Sequence, residues 1–375
     1  MHKTRVAIYG LTSEGYALAG SLVDKAEVTV VDETLQVATS VDPAFLRRNP
    51  NLQELMSEEP LLSVKPTEQV LAEASVVVFT PKLRRPSDEA LMEAGSKLRD
   101  VSKAVSDGVT LVNALPTGPG GNSENMVVIE KQTGLKVGST LAYAYAPLRP
   151  GEAKPSVVAS AGAPEGRMQS LGLPENSQNI FSAELEYASS VLGSSMASAS
   201  EVELSRRARE ARVATRKGAE TYLDEFSVYL YDLKALQASE GTGESVSYLA
   251  GAALKSLENY IRYVVDEARE VLKEKQLKAS RTKVILLWTL DRYEMRGERL
   301  QVAEGIQQRL RDYVTDVAVV PGASLKGGPE SLDPLKHNVL IACSKKDHEA
   351  ARQARKAHRS VESTIISATP GLGRE

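Results

Sequence analysis

The chain has 375 residues, of which 42% are hydrophobic, 25% charged and 5% aromatic, and its formal net charge is −3. A single core seldom grows beyond about 250 residues, so this length implies two or three domains, with cores resting on Val, Leu, Ile and Ala. The near-neutral charge excludes a global pull towards nucleic acid or acidic membrane. The single cysteine, Cys343, excludes an intramolecular disulfide and fits a reducing cytoplasm, and no apolar run or N-terminal signal core implies a membrane.

Residues 4–10 (TRVAIYG) form a short β-branched run ending at Gly10. A helical pattern follows, then a second run, EVTVVD, ending at Asp32. Strand, turn, helix, strand is the βαβ signature of a parallel sheet. Segment 43–66, rich in Pro, Asn and Glu, is expected to be an irregular excursion. Further strands are expected at 75–80 and 109–114 with a helix between them, and another within 133–147. Residues 148–180 read as loop with one short strand in PSVVASA. Between 181 and 275 there is little Pro or Gly apart from a break at 241–243, which predicts two long helical stretches. Strand runs return at 283–290 (KVILLWTL), DVAVVP, 338–344 (NVLIACS) and 363–368 (STIISA), with helices at 298–312 and in a basic stretch. The expected class is α/β: two Rossmann-like parallel-sheet domains, 1–180 and 276–375, joined by a helical middle domain, 181–275.

The first turn reads Gly10-Leu11-Thr12-Ser13-Glu14-Gly15. A dinucleotide fingerprint is GxGxxG with an acid about 20 residues on. Gly10 suits the tight turn, Gly15 the close helix packing, and Asp32 the ribose-binding acid. Thr12 replaces the glycine that lets the main chain approach a pyrophosphate. Two readings stay open: a retained NAD site, or a Rossmann scaffold with an altered one. Thr80, Pro81 and the turn-rich PTGPGGNSEN (116–125) also lie at strand ends. Around 202–218, Leu204, Ala208 and Ala211 line one helix side and Arg206, Arg209, Arg212 and Arg216 the other. That is either a solvated face of a dimerising helix or a grip for a polyanion. Cys343, inside an apolar strand, reads as a small buried hydrophobe. His2, His337, His348 and His358 lack metal-ligand spacing.

In order, these segments resemble the UDP-glucose/GDP-mannose dehydrogenase family over nearly the whole chain. The most specific part, NALPTGPGGNSENMVVIEKQTGLKVGSTLAYAYAPLRPGE (113–152), is similar to the family stretch running from STVPPGT through SGLKVG to YSPERVxPG. VELSRRARE resembles AELxKLxxN, and ASEGTGESV (238–246) resembles the AS-x-GFGGSC nucleophile loop. KVILLW followed by Arg296 resembles the third-domain start with its DTRESP motif. The resemblance implies an NAD-binding domain, a dimerising helical domain and a domain holding the sugar nucleotide. It implies two NAD-dependent oxidations at C6, with a cysteine thiolate capturing the aldehyde and Lys and Asn stabilising the oxyanion. Here the cysteine position is Val246, and the Lys-Asp pair after it is Leu249 and Ala250. The lysine is Arg206, the asparagine Glu210, the loop threonine Ala114 and the glutamate after proline Leu148. The third domain has Leu286 and Leu290 in place of a glycine and a lysine. The cofactor side keeps Gly10, Gly15, Asp32, Thr80, Pro81 and Arg296. The expectation is a non-catalytic relative: a cytoplasmic homodimer through the middle helices, with NAD, a nucleotide or a nucleotide sugar as candidate ligand and a structural, regulatory or adaptor role. The alternatives are a one-step, cysteine-independent NAD-dependent oxidoreductase using Glu210 or another carboxylate as base, and a polyanion binder using Arg206–Arg216. The acidic net charge counts against nucleic acid.

Overall fold

Runs such as VAIY and VTVV have no polar face to offer water, so they are stable only where both faces of a sheet are covered. The computed structural model describes residues 3–58, 65–84, 88–213, 221–326 and 332–375, and it places these runs at the centre of an eight-stranded sheet. β1 (Thr4–Tyr9) pairs in parallel with β2 (Ala26–Asp32) on one side and with β5 (Val76–Phe79) on the other, setting Val6 opposite both Val28 and Val76. β6 (Thr110–Asn113) and β7 (Ala142–Tyr145) continue the parallel order. Antiparallel strands close the edges: β3 (Val37–Val41) and β4 (Lys65–Pro66) beyond β2, and β8 (Ala159–Ala161) beyond β7. The helices α1 (Ser13–Leu22), α4 (Thr67–Glu73), α5 (Asp88–Ala104) and α6 (Gly121–Thr133) supply the crossovers.

The segment expected to be irregular contains two helices, α2 (Pro43–Arg48) and α3 (Leu52–Glu58). The first begins as helices commonly do: the Asp42 carboxylate accepts from Phe45 N–H, and Pro43 takes the first position, where its missing N–H costs nothing. Residues 59–64 of that segment lie outside the described residues. A four-residue helix, α7 (Arg167–Ser170), interrupts the loop region before the long helix α8 (Ile180–Glu210).

The second sheet is four-stranded and all parallel, in the order β10-β9-β11-β12. Its strands are β9 (Thr282–Leu287), β10 (Asp316–Val320), β11 (His337–Ala342) and β12 (Ser363–Ser367). Ile285, Leu287, Leu340 and Ile365 form its core with Leu325 and Ala351. The remaining helices are α9 (Leu223–Ser227), α10 (Leu230–Ala238), α11 (Glu244–Glu274), α12 (Glu298–Leu310) and α13 (Lys345–Ala357). On α11, Leu257, Tyr260, Val264, Ala268 and Val271 recur at helical spacing and are buried, while Glu258, Arg262, Asp266, Arg269 and Glu270 between them face out and Glu267 is buried. The expected break at 241–243 is a single 3₁₀ turn, Glu240–Thr242. The chain forms two compact units: residues up to Val191 with Lys234–Tyr248 and Arg292–Gly297, and Leu192–Leu233 with Leu249–Asp291 and Glu298–Glu375. Among the described residues no helix is long and apolar enough to cross a membrane.

Candidate functional site

The glycine turn lies at the carboxyl ends of β1 and β5, where an open parallel sheet takes its ligands. Gly10 has φ +119°, and a Cβ there would stand 1.9 Å from the Thr80 carbonyl oxygen and 2.9 Å from Pro81 Cα. A Cβ on Gly15 would stand 2.7 Å from Thr80 Oγ1. Only glycine lets β1 and β5 close at these two points. Thr12, in the place of the middle glycine, is fully buried and structural. Its hydroxyl accepts from Gly15 N–H at 3.1 Å, capping α1, and donates to the Thr80 carbonyl at 3.3 Å. The structure therefore brings Gly10, Thr12, Gly15, Thr80 and Pro81 into one packed turn.

The donors of that turn are engaged by the chain itself. Gly10 N–H donates to the Val31 carbonyl and Thr12 N–H to the Gly10 carbonyl. Leu11 N–H donates to Glu33 Oε2 at 3.3 Å. The other oxygen of Glu33 accepts from Lys82 N–H at 2.8 Å and Lys97 Nζ at 3.3 Å. Lys97 also pairs with Glu93 at 3.3 Å, and Glu93 accepts from Arg84 N–H at 2.9 Å. Asp32 faces its own turn: Oδ1 accepts from Thr34 and Leu35 N–H at 2.8 and 3.1 Å. Glu33 was not singled out by the fingerprint, whose acid is its neighbour. The one signal was a second carboxylate directly after the strand.

A strap formed by residues 292–297 covers the start of α1. Ser13 N–H donates to the Tyr293 carbonyl at 2.9 Å, and Leu83 N–H to the Met295 carbonyl at 2.7 Å. Lys82 Nζ stands 4.8 Å from the centre of the Tyr293 ring. Met295 is fully buried and Arg296 nearly so. Met295 N–H donates to Glu14 Oε2 at 2.9 Å, while Glu14 Oε1 is buried without a hydrogen-bond partner. Burial pushes the Glu14 carboxyl up to about 7, helped by Glu294 and opposed by main-chain N–H groups and Arg296.

NAD binding in this fold puts the pyrophosphate on free N–H groups of the glycine turn and helix N-terminus. Here Leu11 N–H is held by a carboxylate and Ser13 N–H by a carbonyl, so the residues as arranged do not fit a dinucleotide in that mode. A cleft of about 860 Å³ opens beside Glu33, lined also by Tyr9, Leu71, Arg84, Lys97 and Asp100.

The turn-rich loop before α6 holds a second internal carboxylate. Glu184 is 1% exposed. It accepts from Gly120 N–H and Asn122 N–H, both at 2.7 Å, from Asn122 Nδ2 at 2.8 Å and from Thr117 Oγ1 at 3.2 Å. Tyr143 Oη and Asn113 Nδ2 donate to Asn122 Oδ1 at 2.7 and 3.0 Å. Ala114 and Leu148, at catalytic positions of the resembled family, meet nearby through a main-chain bond of 3.0 Å, both buried. At the second sheet, Asp347 accepts from Thr289 N–H, Thr289 Oγ1, Gly322 N–H and Ser344 Oγ at 2.6–3.1 Å.

Val246 is half-buried in the first turn of α11, and Ala250, one turn on, is fully buried. Arg206 and Glu210 are bound to each other at 2.5 Å, and Arg207 also holds Glu210, so that carboxylate is not poised as a base. The expected arginine stripe is shorter than its helical spacing implied. α8 ends at Glu210 and Arg212 follows in a left-handed conformation, φ 55°. Arg209 pairs with the buried Glu267 at 2.6 Å, and Arg216 lies outside the described residues. Cys343 is buried at the end of β11, where burial pushes its thiol well up. Among the described residues no acidic, histidine or cysteine group forms a metal cluster.

No family model and no curated protein sequence matches the chain. Solved structures do. UDP-D-ManNAc dehydrogenase from Pyrococcus horikoshii superposes with a TM-score of 0.65 at 16% identity, covering 99% of this chain and 96% of that one. The UDP-N-acetyl-mannosamine dehydrogenase of Staphylococcus aureus gives 0.55 at 12% identity, covering 91% and 94%. A UDP-glucose dehydrogenase from Pyrobaculum islandicum gives 0.53 at 14% identity, covering 98% and 90%. Identities this low establish the fold alone: the chain has the fold of the nucleotide-sugar dehydrogenases along nearly its whole length.

Proposed function

We propose that this protein is a non-catalytic relative of the nucleotide-sugar dehydrogenases, a homodimeric scaffold or adaptor that uses the fold without its redox chemistry. The observation that carries this reading is the glycine turn, whose Leu11 and Ser13 N–H groups are bonded to the Glu33 carboxylate and the Tyr293 carbonyl. A pyrophosphate laid there meets a carboxylate where it needs donors. The chemistry positions support the same reading. Val246 cannot attack an aldehyde, Ala114, Leu148 and Ala250 cannot place a water or a proton, and Arg206 is tied to Glu210.

Dimerisation through the middle helices is supported by α8, which has no charged residue between Glu186 and Glu201 and exposes Phe181, Leu185 and Leu204. Tyr248 and Leu249 on α11 are exposed as well. Exposed apolar side chains of this kind suit a second copy better than water.

The test is calorimetric titration with NAD, UDP-glucose and UDP, alongside an assay for NADH formation. No heat of binding from NAD and no NADH are expected. NADH production from NAD and a UDP-sugar, abolished by Asp32→Ala, would overturn the proposal.

A further inference from the structure

Glu33 directly follows β2, next to an aspartate that keeps its own turn, yet its side chain is only 6% exposed. It draws together donors from three separate segments: Leu11 N–H, Lys82 N–H and Lys97 Nζ. Main-chain N–H groups converging with an ammonium on one point form the kind of donor set by which proteins hold a phosphate group. The set lies at the carboxyl edge of the first sheet, and the cleft of about 860 Å³ opens directly beside it. Lys97 is also held by Glu93 and the Lys82 carbonyl, so its ammonium keeps its position without Glu33.

We propose that Glu33 is a resident anion occupying a one-phosphate site, and that removing its carboxylate opens this site to a nucleoside monophosphate. This rests on the non-catalytic reading above and explains how the crevice excludes nucleotides. The size of the ligand follows from the strap. The Tyr293 carbonyl still holds Ser13 N–H when Glu33 is gone, so what is released is the Leu11 N–H, the Lys82 N–H and the one Lys97 contact made to Glu33. They suffice for one phosphate and not for a pyrophosphate. The nucleoside then lies in the cleft, with Leu71 as an apolar wall and Asp100 as a hydrogen-bond acceptor.

The experiment uses the full chain as wild type, Glu33→Ala and Glu33→Gln, titrated calorimetrically with inorganic phosphate, AMP and NAD. AMP is expected to bind Glu33→Ala at least tenfold more tightly than wild type and more tightly than NAD. Inorganic phosphate is expected to raise the melting temperature of that variant alone. Adding Lys97→Met to Glu33→Ala is expected to abolish both effects. If Glu33→Ala does not fold, Glu33→Gln carries the same comparison, since the amide keeps the volume and loses the charge. Equal AMP affinity in wild type and folded variants, or none in either, overturns the proposal. NADH formation by the wild type would instead overturn the non-catalytic reading, so the two failures are distinguishable.

Discussion

Glu14 is the residue whose ionisation the fold perturbs most usefully for experiment. Its carboxyl titrates at about 7 in the folded chain against an ordinary 4.5, chiefly because it is buried under the strap. Below pH 4.5 the acid is protonated in both the folded and unfolded states and contributes nothing. Between 4.5 and 7 the unfolded chain releases its proton while the folded chain keeps it, so stability falls as the pH rises, by ~3 kcal/mol over the window. Above 7 the loss is complete and the curve is flat. Glu14→Gln should remove this slope. Urea midpoints measured below pH 4.5 and above pH 7 should then differ less in the variant than in the wild type. Some residues of the turn were legible in the sequence. Gly10, Gly15 and Thr12 announce a Rossmann turn with one altered position, because backbone demands act on residue type directly. Glu33 and Glu184 were not legible. A carboxylate after a strand or in a helix is ordinary in sequence, and only the direction of its side chain makes it an internal anion.

At the scale of elements, the loop before α6 shows how strongly such an anion organises its surroundings. Glu184→Ala would strand the N–H groups of Gly120 and Asn122 and the Asn122 amide in a buried place. The expected cost is ~3 kcal/mol or more, measured by urea unfolding, with Glu184→Gln costing less because one oxygen acceptor is retained. The loop has little room to relax. A Cβ on Gly118 would stand 2.7 Å from the Ala235 carbonyl, and Ser239 Oγ holds the Pro119 carbonyl at 2.7 Å. The central strands β1, β5 and β6 were legible because burial on both faces leaves a short apolar run, and β2 because Val28, Val30 and Val31 keep most of one. β3 was not: VATSV is short, half polar and paired antiparallel at an edge. α2 and α3 escaped because they are short and their Pro and Asn residues suggested loop, although Asp42-Pro43 is a helix start. The far end of α8 was overextended because helical spacing of arginines continues in sequence past Glu210, where the backbone turns left-handed.

At the scale of the molecule, both sheets carry an acid of the chain on main-chain donors at the carboxyl ends of their parallel strands: Glu33 at the first, Asp347 at the second. This is why Val246→Cys alone should not create a dehydrogenase. The thiol would return, but the cofactor turn would still be held by Glu33 and Tyr293, and Ala114, Leu148 and Glu210 would be unchanged. The expected result is no NADH formation by the variant with NAD and UDP-glucose, read spectrophotometrically. Fold class was thus visible in the sequence, because it depends on pattern. The ligand chemistry was not, because it depends on which donors are still free.

The Glu33 arrangement also changes how the protein answers its surroundings. A carboxylate fixed to the end of β2 competes for the glycine turn at an effective concentration of millimolar or above, whatever the solution contains. An enzyme that needs its cofactor to fill such a turn gains stability as the cofactor pool rises and loses it as the pool drains. This chain supplies the occupant from one of its own side chains, so its folded fraction should stay level between a fed and a starved cell.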